Sequence, residues 1–274
     1  MAGGREFRKG WTVILAAAVG VGLGTTGLPI YTTGQFILPL QQAFGWSRSA
    51  VSGGLLCLTV AGVVMAPIVG GLTEKFGVRR VGMAGMLGMA AGYAGLTLNG
   101  GSIWLYDAGW VVLSVLGAGT SPIVWTRAVA SWFDRQRGLA LGLTLCGTGM
   151  VAIVAPGLVG AIIAEHGWQA GFLTLAGAQI VVGLPVVYLL FRAREAGAAA
   201  VTVELEGVTL QAAVRGRAFW QAAAAFFLIA IVVGGLIVHL PAMLADRGIS
   251  RMEAGGALGF LGVSLSPGDC RSGR

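Results

Sequence analysis

Gly70-Gly71-Leu72-Thr73-Glu74-Lys75-Phe76-Gly77-Val78-Arg79-Arg80 is the stretch on which the reading of this chain turns. Charge is scarce elsewhere: Asp, Glu, Lys and Arg make up 11% of the 274 residues, against 56% hydrophobic residues. Here one acid and three bases crowd together, with apolar sequence of membrane-crossing length on either side. Such a cluster has to be a short loop in water. Gly70, Gly71 and Gly77 supply the backbone freedom that a tight turn between two long helices needs.

Working outward, the composition excludes a soluble globular domain. Such domains carry about 25% charged residues, and the mean hydropathy of this chain is +0.82. A membrane helix takes about 20 predominantly apolar residues. Spans are predicted at 11–32, 51–72, 81–98, 103–126, 138–163, 170–191 and 218–243, followed by a shorter apolar stretch at 254–266. The 47 glycines fall mostly inside these runs, where small residues let helices approach closely. Alternating strands of roughly 10 residues, the mark of a membrane barrel, do not appear.

The formal net charge is +7, and its distribution points to topology rather than to nucleic acid. If the N-terminus lies in the cytoplasm, 13 of the 18 Lys and Arg fall in inner segments: Arg5, Arg8, Lys9, Lys75, Arg79, Arg80, Arg127, Arg135, Arg137, Arg192, Arg194, Arg215 and Arg217. Arg48, Arg247 and Arg251 fall outside, and Arg271 and Arg274 in the tail. This is the positive-inside bias. It predicts a multi-pass protein of the inner or plasma membrane with a cytoplasmic N-terminus. The first apolar run is longer than a signal-peptide core, and further spans follow it. Cys57, Cys146 and Cys270 have no metal-ligand spacing, so no metal and no cofactor are expected.

Several segments carry a resemblance. The loop 70–80 resembles the connection between the second and third helices of major facilitator superfamily transporters. Phe44-Gly45-Trp46-Ser47-Arg48, Ser131-Trp132-Phe133-Asp134-Arg135-Gln136-Arg137-Gly138-Leu139-Ala140, Gly167-Trp168-Gln169 and Arg217-Ala218-Phe219-Trp220 are similar to the monocarboxylate-porter and oxalate/formate-antiporter branch. The resemblance implies an all-α polytopic membrane protein. Residues 1–191 would form an N-terminal six-helix bundle and 192–217 a cytoplasmic linker. Residues 218–266 would begin a second bundle with one complete and one partial helix, leaving a polar tail at 267–274. A family member has about twelve helices, so this pattern reads as C-terminally truncated or frameshifted.

The resemblance implies a role for the loop: Glu74 and the arginines form an intracellular latch between two bundles. Gly70, Glu74, Lys75, Gly77, Arg79 and Arg80 are the residues concerned. An acid near a helix N-terminus and arginines near helix ends are expected to be favoured by helix dipoles; the alternative is that the bases only set topology. Asp134, Arg135 and Arg137 form a second inner loop. In the fifth helix Gly149, Pro156, Gly157 and Gly160 partly resemble the superfamily's antiporter signature, with tight packing as the other reading.

Pathway or coupling candidates are polar residues inside apolar runs. Asp107 is an acid about one turn inside the fourth span, and either serves proton or substrate or is solvated at the helix mouth. Arg127, at the inner end of that helix, either snorkels or meets an anion. His239 is set near the end of the seventh span, where it either couples protons or packs. Tyr31, Thr32, Thr33 and Gln35 make a polar patch that lines a pathway or packs against a neighbouring helix.

The expected function is secondary active transport of small organic anions, mono- or dicarboxylates, by alternating access driven by a proton or counter-anion gradient. A drug or nutrient exporter of the same fold is the first alternative. The second is a non-transporting membrane fragment, whose open half-interface would suit a homodimer. The chain as written is expected not to transport alone. Besides substrate and coupling ion, the expected partner is the lipid bilayer. Nucleophile elbows, phosphate-binding loops and His/Cys clusters are missing from the sequence, so an enzyme is not expected.

Overall fold

The computed structural model describes residues 2–191 and 214–246, with side chains for all of these except 2–5, 9, 230 and 233–246. Every element described is helical, as the hydropathy pattern requires. The first unit runs from α1 (Ala2–Leu23) through α2 (Leu28–Phe44), α3 (Arg48–Phe76), α4 (Val78–Leu96) and α5 (Ile103–Gly117). A 3-10 turn (Ala118–Thr120) then leads into α6 (Pro122–Trp132) and α7 (Arg137–Gly177). A π segment (Ala178–Gly183) leads into α8 (Leu184–Leu190). The second unit contributes α9 (Arg217–Asp246).

Four of the described helical runs are long and apolar enough to cross a membrane: Gly10–Phe44, Arg48–Phe76, Ile103–Trp132 and Arg137–Leu190. The last holds 54 residues, far more than the roughly 20 one crossing needs. It is broken at Gly167, whose φ of 84° lies in the left-handed region that side chains with a Cβ avoid. The chain reverses there: a Cβ on Gly171 would lie 2.6 Å from Ile163. With α4, the first unit therefore presents six rods among its described residues. Gly77 makes a second reversal at φ 80°, ending α3 and starting α4 with no intervening loop.

Boundaries differ from the expected spans in instructive ways. The first rod extends to Phe44 rather than 32, and is interrupted at residues 24–27. Glycines at 24 and 27 weaken the helix there, and Pro29 restarts it at a position where no amide donor is needed. The fourth rod continues to Trp132, so Arg127 lies within the helix rather than at its very end. Ser47 and Ser102 cap α3 and α5 by accepting bonds from Ala50 N and Leu105 N. Asn99 Oδ1 accepts from the amides of Gly101 and Ser102, closing the turn before α5.

Two large apolar clusters and a small one around Val69, Ala118 and Val124 fill the first unit. One joins Phe36 and Leu40 of α2, Val51 and Leu58 of α3, Tyr93 of α4, Trp110 of α5 and Phe172 of α7. Its centre is the stack of Phe36 on Phe172, with centroids 4.1 Å apart. The other joins Val13 and Ala17 of α1, Met86 of α4, Trp125 and Phe133 of the α6 region, Ala140, Val187 and Phe191. Trp125 is wholly buried there, cupped by Gly20 and Gly82; a Cβ on either would approach its ring to 2.4–2.5 Å. Meanwhile α3 turns Leu56, Val60, Val63, Val64 and Ile68 outward, as a helix facing lipid or a partner bundle does. The stretches 192–213 and 254–266 lie outside the described residues.

Candidate functional site

The charged loop is built where α3 meets α4. Glu74 stands in the last turn of α3, and Arg79 and Arg80 in the first turn of α4. The dipole expectation is corrected by this placement. A carboxylate at a helix C-terminus and guanidinium groups at a helix N-terminus are each on the disfavoured end. Tertiary partners compensate instead. Arg127, on α6, donates from Nη2 to Glu74 Oε1 at 2.9 Å. Arg79 Nη2 donates to the carbonyl of Tyr188 at 2.6 Å, and its guanidinium lies 4.8 Å from the centre of the Tyr188 ring. Tyr188 belongs to the last turn of α8, where carbonyls lack helical donors, so Arg79 caps α8 from another rod.

Together these bonds tie four rods at one end of the unit: α3 to α6 through Glu74–Arg127, and α4 to α8 through Arg79. The ion pair is open to solvent, its side chains 51% and 64% exposed, so it contributes at most about 1 kcal/mol. Lys75 lies over the Phe76 ring at 5.3 Å, and Arg80 is exposed. A Cβ on Gly70 would meet nothing within 4 Å. The loop that holds Asp134, Arg135 and Arg137 lies beside the cluster that contains Phe133. Asp134 and Arg137 approach to 3.7 Å, Arg137 Nε donates to the Phe133 carbonyl, and Arg135 is exposed.

The remaining candidates of the first unit are not gathered into one place. Asp107 lies in the second turn of α5, with Oδ1 buried and unpartnered, facing α3 where Gly53 leaves room. Twenty positions separate it from Arg127, about 30 Å along a helical rod, so the two do not share a site. Thr32 and Thr33 are buried, each hydroxyl bonded to the carbonyl four residues back. Those hydroxyls are used within their own helix, whereas Tyr31 is half-buried and Gln35 exposed. The side chain of His239, within α9, lies outside the described residues.

In α7, Gly149 and Gly157 have open space where a Cβ would stand. Close approach is made by Gly147, whose Cβ would fall on the Ala18 carbonyl, and by Gly160, beside Gln35 Oε1 at 3.0 Å. Pro156 lies inside the helix, half-buried. One polar group passed over in the sequence is Gln179, wholly buried in the π segment and donating to the Leu23 carbonyl. It was visible as a lone amide midway through the predicted 170–191 span. Among the described residues there is no group of three or more His, Cys, Asp or Glu that would hold a metal.

This arrangement of reversals and cross-rod ties sits in sequence that matches the Major Facilitator Superfamily model over residues 15–270. The chain belongs to the major facilitator superfamily. As a superfamily member it is a multi-pass membrane protein of a transporter family. It is 25% identical over 248 residues to the uncharacterized MFS-type transporter YcxA of Bacillus subtilis, covering 84% of this chain and 58% of that one. It is 36% identical over 99 residues to the class C tetracycline resistance protein of Escherichia coli, covering 35% and 25%. It is 29% identical over 145 residues to the probable anion transporter 3, chloroplastic, of Oryza sativa, covering 52% and 28%. The chain thus spans little more than half the length of the first of these relatives and about a quarter of the other two.

Proposed function

We propose that this superfamily member serves secondary transport of small organic anions, with the Glu74–Arg127 and Arg79–Tyr188 ties acting as its inner-end latch. The observation that carries the latch is that one charged loop joins four rods through exposed, low-energy bonds, which a conformational change can break at little cost. The anion class is supported by the branch resemblance of residues 44–48 and 131–140, and by the likeness to a plant anion transporter. Charge placement supports a cytoplasmic N-terminus in the inner or plasma membrane, and a proton or counter-anion gradient is the driving force that fits this family.

A second reading, export of a drug-like compound, is favoured by the 36% identity to a tetracycline resistance protein. Proteoliposomes holding the purified chain separate the two. In whatever transport the chain carries out by itself, the anion reading expects exchange of labelled oxalate, formate or lactate that unlabelled carboxylates compete away and tetracycline does not. Tetracycline accumulation without carboxylate exchange would establish the second reading. Movement of neither would remove the chain as a self-sufficient carrier.

A further inference from the structure

Three of the six rods in the first unit are interrupted, and the interruptions touch. The first rod loses its helix at residues 24–27, the fourth tightens to a 3-10 turn at Ala118–Thr120, and the last loosens to a π segment at Ala178–Gly183. A run of π or 3-10 geometry inside a longer helix frequently marks a hinge. Here the three are tied by buried bonds. Thr25 N donates to Thr120 Oγ1 at 3.2 Å, and Thr120 Oγ1 donates to the Gly117 carbonyl at 2.7 Å. Gln179 Nε2 donates to the Leu23 carbonyl at 2.5 Å, the carbonyl that the break in the first rod has freed. Thr120 and Gln179 are both 0% exposed, and Gln179 Oε1 is buried without a partner.

The two apolar clusters part at the same level. Of the first rod, Val13, Ala17 and Val21 of α1 belong to the Trp125 cluster, and Leu23 at its end joins α2 in the Phe172 cluster. Of the fourth, α5 belongs to the Phe172 cluster and Trp125, Ala128 and Val129 of α6 to the Trp125 cluster, while Ala118 and Val124 between them join Val69 of α3 in a small third cluster. Of the last, Phe172 and Leu175 lie on one side and Val187 and Phe191 on the other. On the continuous α4 the boundary falls between Met86 and Met89, and Met89 Sδ lies 3.1 Å from Thr120 Oγ1 and 3.7 Å from Gln179 Nε2. Close-packed cores resist shear within themselves, so a polar layer between two cores is where the unit can bend.

We propose that this layer is a hinge inside the six-rod unit, and that Gln179 is the positioning residue that locks it. Bending the three interrupted rods together moves the Phe172 half against the Trp125 half while each apolar cluster stays intact. This is motion within one bundle, separate from any rocking of one bundle against another, and it does not depend on the substrate.

Hydrogen exchange of the purified chain in detergent, read by mass spectrometry on overlapping peptides, tests it. In the unmodified chain, amides at 21–28, 117–121 and 178–184 should exchange at a common rate, faster than those of the two clusters. Gln179→Met keeps the side chain's length but not its donor. It should speed exchange at 21–28 and 117–121 about tenfold, the scale of a lost buried hydrogen bond, with both clusters left within about twofold. Exchange raised evenly across both clusters would make Gln179 an ordinary structural residue and overturn the proposal. So would an unaltered rate at 21–28, or, in the unmodified chain, protection that runs unbroken through the three interruptions. The last readout decides the matter even if Gln179→Met does not fold.

Discussion

Glu74 and Arg127 show how a residue's role depends on what reaches it. On its own helix Glu74 is at the wrong end of the dipole, and Arg127, 53 positions later, offsets part of that while water solvates the rest. Glu74→Gln and Arg127→Gln should each lower stability by less than about 1 kcal/mol, since the pair is exposed. The double variant should lose no more than the larger single loss, checked by a double-mutant cycle of thermal melts in detergent. Arg79 is a different case. Arg79→Lys keeps the charge but loses the planar stack on Tyr188, and should destabilise by about 1 kcal/mol in the same assay. Asp107→Asn should leave the melting temperature unchanged or raised, because an unpartnered buried oxygen is replaced by a neutral group.

At the scale of elements, the rods were legible and their irregularities were not. Apolar length put a span on each described rod, because a hydrocarbon layer of about 30 Å demands it. The break at residues 24–27 was hidden by hydropathy, since Gly24 and Gly27 are apolar enough to pass within a span. Likewise the close packing of the fifth helix falls to Gly147 and Gly160 rather than Gly149 and Gly157. All four are glycines, and only the facing helix distinguishes them. The reversal at Gly167 and the cupping of Trp125 by Gly82 give two tests. Gly167→Val should cost about 1–2 kcal/mol from its left-handed backbone. Gly82→Leu should cost about 1–3 kcal/mol by overpacking, together with a shift in tryptophan emission that Gly167→Val does not produce.

For the whole molecule, the lopsided Lys and Arg distribution predicts a single orientation. Single cysteines placed at Lys75 and at Ser102, in a background lacking Cys57, Cys146 and Cys270, should label oppositely with a membrane-impermeant thiol reagent in right-side-out vesicles. Position 75 should be protected and position 102 modified; the reverse pattern would place the N-terminus outside. What the sequence by itself determined was the membrane class, the helical rods and the one charged loop, because each follows from what lipid excludes and what water admits. The tertiary structure alone decided which arginine meets Glu74, that Arg79 caps α8, and that three helix breaks coincide around Gln179. Those are pairings across 53 to 156 positions of chain. No local pattern encodes them, because they arise only once packed rods bring distant polar groups to a common depth.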